Sequence, residues 1–496
     1  MKKLRCLFWA GILCGCVLAK RSDSYSLTLI HTNDLHSHLL PFDESHDCSL
    51  TSDCLGGFAR LKTFMIQEKD SHTLILDAGD RFTETSFYTL LKSKPLLPLF
   101  QQMPYDVITL GNHEFDDNLS ETISFLQQWP VSVVAANLKM PKDNPLSLLV
   151  KPSVIVEKAG RKIGIIGVIT QETMVLDHPK ISVTSISEAV SKEIESLKGK
   201  GVNIIIVLSH IGLDADQQLA QDFPDIDVIV GGHSHSFLNN DSRISANGPY
   251  PIAMNQGKTL IVTSGMGGQF IGQLQLVFDS KGDILEYQGN TIPMDSKIPN
   301  DPQAIRSIQQ SQEEILAILS EPIITLPHGI GFSVDRNYCD KDCPIGQYLT
   351  KILHTAYPSI DGVLLNSGSI RRGFPAGQIC YQHLIDVYPF DNSAVFIHLT
   401  GKELKGFLEH GIAQYRSDKK TNALLQTSGI TYHFSASNKK IKDIFVNGKP
   451  VELAKNYTFL ISSYLVEGGD GYPKKTYQKT GYTIREILKK QMKTFN

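Results

Sequence analysis

Along the first 290 residues, short apolar runs alternate with stretches whose apolar residues recur at helical spacing. The runs occupy 26–30, 73–79, 106–111, 162–168, 202–209 and 227–232. They are apolar on both faces, which predicts strands covered by helices on each side. Between them, "SEAVSKEIESLK" at 187–198 predicts a helix with Ser187 as N-cap and Ala189, Val190, Ile194 and Leu197 along one face. Residues 293–303 crowd Pro, Asn and Asp together and predict a boundary. A helix follows over 304–320, ended by Pro322, and a second α/β region runs from about 322 to the end. No repeat of fixed period is visible. The pattern is α/β with packed sheets.

Length changes this picture only by allowing two or three domains with real cores in 496 residues. The formal charge of −3, without long charged runs, gives no sign of a nucleic acid polymer or an anionic membrane as partner. Residues 1–19 read as a signal peptide: Lys2, Lys3 and Arg5, then an apolar stretch of 14 residues, then Val17-Leu18-Ala19 as a cleavage site. Cleavage would take the charge to −6. The expected location is secreted or periplasmic, and Leu13-Cys14-Gly15-Cys16 resembles a lipoprotein box that would anchor the chain through Cys16. Neither a later membrane-length stretch nor a C-terminal lipid-anchor signal is present. Export makes Cys48 with Cys54, and Cys339 with Cys343, local disulfides rather than C-x2-C zinc sites, and leaves Cys380 over.

The chemistry gathers where the runs end. The first is followed by Asp34 and His36, the second by Asp80, the third by "GNHEFD" at 111–116, a later one by His210, the last by His233 and His235. In parallel α/β sheets, ligands collect at the carboxyl ends of strands. Asp34 with His36, and His233 with His235, are two apart, so an extended backbone would aim each pair to one side. Glycines 79, 111, 231 and 232 permit close backbone approach. This set exceeds what one ion needs; it suits two ions about 4 Å apart, with Asp80 as the bridging carboxylate. Mixed imidazole, carboxylate and amide ligation favours Zn, with Mn, Co or Fe as alternatives. His31, His38, His46 and His72 are read as loop or core residues.

"NDLHSH", "DAGD", "GNHEFD", "SHIG" and "GGHSH" resemble the signature series of the 5′-nucleotidase family of calcineurin-like metallophosphoesterases. The resemblance implies a four-layer α/β/β/α sandwich over 25–295, a linker and hinge helix over 296–321, and a nucleotide-binding α/β domain over 322–496. It places Asp34, His36, Asp80 and His235 on one ion, and Asp80, Asn112, His210 and His233 on the other. His113 and Asp116 resemble the family's catalytic pair. In the second domain, "LLNSGSIRRGF", "YPFDN" and "YLVEGGDGY" put Asn366 and Arg371 on the nucleotide, Phe390 and Tyr464 about the base, and Asp470 on the ribose. Ser367 and Ser369 stand where the family usually has glycine. Asp340 stands where relatives place an arginine, so Arg336 is the candidate phosphate contact.

The expected activity is hydrolysis of nucleoside 5′-monophosphates by water activated at two metals. Alternatives on the same site are nucleoside di- or triphosphates, UDP-sugars and 2′,3′-cyclic nucleotides. From another class, the alternative is an exported nucleotide- or zinc-binding protein, against which the intact His113 and Asp116 argue. The partner is a small-molecule nucleotide; the sequence sets no oligomeric state.

Overall fold

The computed structural model describes residues 24–43, 47–50, 53–117, 119–171, 173, 181–331, 343–414, 423–435 and 440–495. The signal stretch with Cys16, and Arg336, Cys339 and Asp340, lie outside these. The chain divides into two compact units between Ile315 and Leu316.

The first unit carries two sheets. In one, the strands Tyr25–Thr32, Thr73–Asp77, Val107–Thr109, Ser132–Val134 and Val150–Lys151 run parallel in that order, and Phe270–Phe278 and Ile284–Pro293 extend it antiparallel. In the other, Arg161–Ile169, Ile205–His210, Val228–Gly231 and Thr259–Val262 are parallel, with antiparallel edges at Ser153–Lys158 and Ile252–Met254.

Alternation explains the layering. Leu27, Leu29, Leu74, Leu76 and Val107 of one sheet meet Ile206, Leu208, Val228 and Val230 of the other in a single buried cluster. The intervening Ile205, Val207 and Ile229 face outward against Val190, Ile194 and Leu197 of the helix Ile186–Gly199. Each such Leu or Ile, wholly buried, contributes about 1.5–3 kcal/mol. Helix Ile186–Gly199 is capped by Ser185, whose side chain accepts from Glu188 N. This corrects the expected cap at Ser187: the apolar Ile186 already lies inside the helix, so the capping hydroxyl sits one residue before it. Cys48 and Cys54 form a disulfide, Cys343 is disulfide-bonded, and Cys380 is free.

The helix Pro302–Leu319 begins where Asp301 Oδ1 accepts from Gln303 N and Ala304 N, at 3.0 and 2.8 Å. The second unit holds a five-stranded sheet ordered Leu425–Ser428, Gly362–Asn366, Asn456–Ser462, Ser393–Thr400 and Gln478–Thr483. Helix Gly401–Gln414 buries Leu404, Phe407, Leu408 and Ile412 into the core that this sheet shares with Tyr432 and Ile444 of a small three-stranded sheet. Among the described residues no helix is long and apolar enough to cross a membrane.

Candidate active site

Asp34, His36, Asp80, His233 and His235 all have positive φ, at 49°, 44°, 57°, 75° and 52°. Few non-glycine residues adopt such angles, because Cβ crowds the carbonyl oxygen. Where they persist, surrounding bonds hold them, and they concentrate at functional sites. The expected extended aim of Asp34 with His36, and of His233 with His235, is thereby corrected. Left-handed turns point these pairs inward, held by bonds between loops. Asp34 N donates to Gly79 O at 2.9 Å and His36 N to Asp80 O at 3.0 Å. The Asp34 carboxylate accepts from His233 N at 3.0 and 3.1 Å and from Asn33 Nδ2 at 2.7 Å.

Two groupings take in the predicted carboxylate and imidazole ligands, Asp34 with His36 and His235, and Asp80 with His210 and His233, and a third, His36 with Asp80 and His113, links them; in each the ligand atoms lie within 4.8 Å of one another. Asp80 lies between them. Its Oδ2 is 3.0 Å from His210 Nε2 and 3.9 Å from the Nε2 atoms of His36 and His113. His36 Nε2 and His235 Nε2 approach to 3.0 Å. Asn112 Oδ1 is buried without a hydrogen-bond partner. His210 Nδ1 donates to Ala78 O at 2.8 Å. In the neutral ring Nε2 is therefore the lone-pair nitrogen, facing the Asp80 carboxylate. Two lone pairs this close require a proton or a cation between them. The donor set therefore fits divalent ions.

The electrostatics agree. Burial alone would depress His210, but Asp80 and then Asp34 hold it up to about 9. Burial pushes Asp34 up to about 7 against the pull of His210. Burial opposes ionisation of Asp80 too, yet His210, His36 and His113 hold it below the usual carboxylate range. Glycine is obligatory here: a Cβ on Gly111 would fall 2.0 Å from Asp80 Oδ1, and one on Gly232 2.9 Å from Ala78 O.

His113 stands beside this centre. Its N donates to Asp80 Oδ1 at 2.9 Å, and its Nδ1 bonds Asp116 Oδ2. That bond, against burial, raises the imidazole to about 9.

In the second unit, Asn366, Arg371, Phe390, Tyr464 and Asp470 line one cavity of about 210 Å³. Phe390 and Tyr464 are 38% and 41% exposed, large rings left open at a cavity wall. Asn366 Nδ2 donates to Asp470 Oδ2 at 2.9 Å, and the Tyr464 hydroxyl to Asp470 Oδ1 at 3.0 Å. The Arg371 guanidinium lies 5.2 Å from the Phe390 ring centre. Ser367 Oγ accepts from Gln426 Nε2 at 2.9 Å and Ser369 Oγ donates to Asn366 O at 2.6 Å. Both serine hydroxyls are thus engaged within the protein.

Residues 27–237 match the family model for the calcineurin-like phosphoesterase, and 322–477 that for the 5′-nucleotidase C-terminal domain. A 5′-nucleotidase of Bos taurus is 30% identical over 495 residues, covering 92% of this chain and 86% of the relative. An apyrase of Tabanus yao is 31% identical over 495 residues, covering 93% and 89%. The chain belongs to the 5′-nucleotidase family. The solved 5′-nucleotidase precursor of Thermus thermophilus matches with a TM-score of 0.63 at 29% identity, over 95% of this chain and 96% of that one. Membership makes this a 5′-nucleotidase-type phosphoesterase hydrolase, and its calcineurin-like domain implies divalent metal ions.

Two residues of this 5′-nucleotidase-type centre escape sequence reasoning. Glu114, 3% exposed, accepts from Gly111 N at 2.6 Å and Asp80 N at 3.1 Å through Oε2, and from Arg81 N at 2.7 Å through Oε1. It joins the loops bearing Asp80 and Asn112. Asn33 donates to Asp34 and to Gly265 O and accepts from Ser264 N, joining a loop far along the chain. Glu114 carried a signal, being an acid inside "GNHEFD", but spacing alone does not separate it from Asp116. Asn33 carried none beyond adjacency to Asp34.

Proposed function

We propose that the chain hydrolyses nucleoside 5′-monophosphates to nucleoside and phosphate. The observation carrying this reading is the pair of ligand groupings about Asp80, with the orphaned Asn112 Oδ1 and the His113–Asp116 pair beside them. Asp34, His36, Asp80 and His235 would hold one ion, and Asp80, Asn112, His210 and His233 the other, zinc being the first choice. When bound, the ions supply positive charge to phosphate oxygens and lower the pKa of an attacking water. Asp116 keeps His113 charged, so His113 donates a proton or hydrogen bond to the phosphate or to the departing ribose oxygen. The rings of Phe390 and Tyr464 accept a base of any identity, Asp470 and Asn366 address the sugar, and Arg371 offers its fork of donors to phosphate. The apolar N-terminal stretch supports a secreted or periplasmic location.

A second reading, removal of phosphate from nucleoside di- and triphosphates, is favoured by relatives named apyrase at the same level of identity as the bovine 5′-nucleotidase. Phosphate release from AMP, ADP, ATP, UDP-glucose and 2′,3′-cyclic AMP, offered side by side with chelated protein as control, separates the readings. Release from AMP alone supports the first and preference for ATP the second. Silence on all five sinks both.

A further inference from the structure

The cavity of the second unit contains a chain of hydrogen bonds whose two ends are hydroxyls. Ser369, 2% exposed, donates through Oγ to Asn366 O at 2.6 Å. Asn366, 4% exposed, donates through Nδ2 to Asp470 Oδ2 at 2.9 Å. The Tyr464 hydroxyl donates to Asp470 Oδ1 at 3.0 Å and accepts from Asp470 N at 3.2 Å. We propose that Ser369 and Tyr464 act through these hydroxyls as positioning residues that pre-order the Asn366–Asp470 wall for a nucleoside bearing hydroxyl donors. This rests on the reading of the cavity as the nucleoside site.

Three observations carry it. Asp470 has φ 50° and lies in the run Gly468-Gly469-Asp470-Gly471, where glycine leaves the backbone little stiffness of its own. The doubly bonded Tyr464 hydroxyl holds it there. Gly469 makes room for this, since a Cβ on it would fall 2.5 Å from the Tyr464 ring. Lastly, committing Asn366 Nδ2 to Asp470 fixes the amide's orientation and leaves Oδ1 as a buried acceptor without a partner. The wall thus presents acceptors in the remaining lone pairs of Asp470, and its ligand must bring donors. Ordering before the ligand arrives removes an entropic cost from binding. The hydroxyls therefore govern affinity, leaving the rate of the chemical step alone.

The test is titration calorimetry of adenosine and 2′,3′-dideoxyadenosine into the full, metal-loaded chain and its Tyr464→Phe, Ser369→Ala and doubly substituted forms, with AMP kinetics alongside. Tyr464→Phe keeps the ring and should weaken adenosine binding about tenfold. Ser369→Ala should weaken it a few-fold. The double variant should lose less than the product, because both hydroxyls act on one chain of bonds. KM for AMP should rise in step while kcat changes less than twofold. Preference for adenosine over the dideoxy compound should shrink. If wild-type protein binds adenosine and Tyr464→Phe binds it equally well, the proposal falls while the cavity assignment stands. If wild-type protein hydrolyses AMP yet prefers neither compound, the cavity assignment falls and takes the proposal with it. Should Tyr464→Phe lower the unfolding midpoint, Ser369→Ala decides alone.

Discussion

At the sheet edge of the first unit, five of the seven predicted ligands have left-handed backbone, and Asp34, His36, Asp80 and His210 are buried. In the cavity of the second unit, only Asp470 of the five predicted contacts has positive φ, and the two rings stand open to solvent. The bonds differ likewise. Around Asp80, main-chain N–H groups donate to carboxylates: Gly111, Asp80 and Arg81 to Glu114, His233 to Asp34, His113 to Asp80. In the cavity, side chain bonds side chain, as in Asn366 and Tyr464 to Asp470. A site built by backbone is stiff and places charge well, which suits a reaction centre. One in which side chains bond one another sets out acceptors for a ligand's donors, which suits recognition. Substitutions at the first should therefore remove rate, and at the second affinity.

The largest expected effect is that of Asp80→Asn. One carboxylate oxygen serves His36, His113 and His210, so losing its charge should loosen both groupings together. Phosphate release should fall to background, and elemental analysis should find both ions depleted. Retention of two ions per chain would show that Asp80 does not bridge. Next is His113→Asn, which should slow turnover about 10²–10⁴-fold. Metal content should stay at the wild-type level, since Asp34 with His36 and His235, and Asp80 with His210 and His233, make up the two ligand groupings without its ring. If turnover survives, the pairing with Asp116 is structural.

Much of this contrast was legible in the chain. Strands apolar on both faces, each followed by Asp, Asn or His, imply an edge where ligands converge, and the structure brings those side chains to that edge. What sequence could not supply was the route. Spacing of two suggested a pleat, but Asp34 and His36 turn left-handed because bonds to Gly79 and Asp80, some 45 residues away, hold them. Glu114 and Asn33 were hard to read for a related reason: beyond the neighbouring Gly111 and Asp34, they bond main-chain groups of distant loops, Asp80 N and Arg81 N for Glu114 and Gly265 O and Ser264 N for Asn33, which leave no pattern in side-chain identity. In the cavity the motifs gave the residues but not their mutual bonds. Ser369 stood out only as a departure from the family's usual glycine, and the structure gives its hydroxyl a partner in Asn366 O.

A smaller effect sharpens the recognition side. Phe390→Ala removes one of two open rings, and base stacking is worth roughly 1–3 kcal/mol. KM for AMP should rise roughly 5- to 150-fold with kcat nearly unchanged, and the loss should be similar for CMP, because a ring face does not read base identity. A fall in kcat at unchanged KM would mean that the ring serves the chemistry, and the division between the two sites would fail.

The smallest effect concerns a histidine on the same strand as the ligand loop that nonetheless belongs to the core. His31 is wholly buried, and its Nε2 lies 2.9 Å from the Tyr250 hydroxyl, in space that only a glycine at 272 leaves open. Burial lowers its pKa to about 3, against 6.5 for an ordinary histidine. The folded value lies below the unfolded one, so between pH 6.5 and 3 the unfolded chain binds the extra proton. The contribution of neutral His31 is fully present above pH 6.5 and is lost on acidification through that window, at about 1.4 kcal/mol per pH unit. His31→Gln retains a partner for Tyr250 and cannot titrate there. Its unfolding free energy should fall less steeply between pH 6 and 4 than that of wild type, by close to one proton, in denaturant melts of equally metal-loaded chains. Equal slopes would mean that His31 takes up its proton without leaving the fold. The distinction between the core histidine of this strand and His36 in the turn that follows it would then rest on geometry alone.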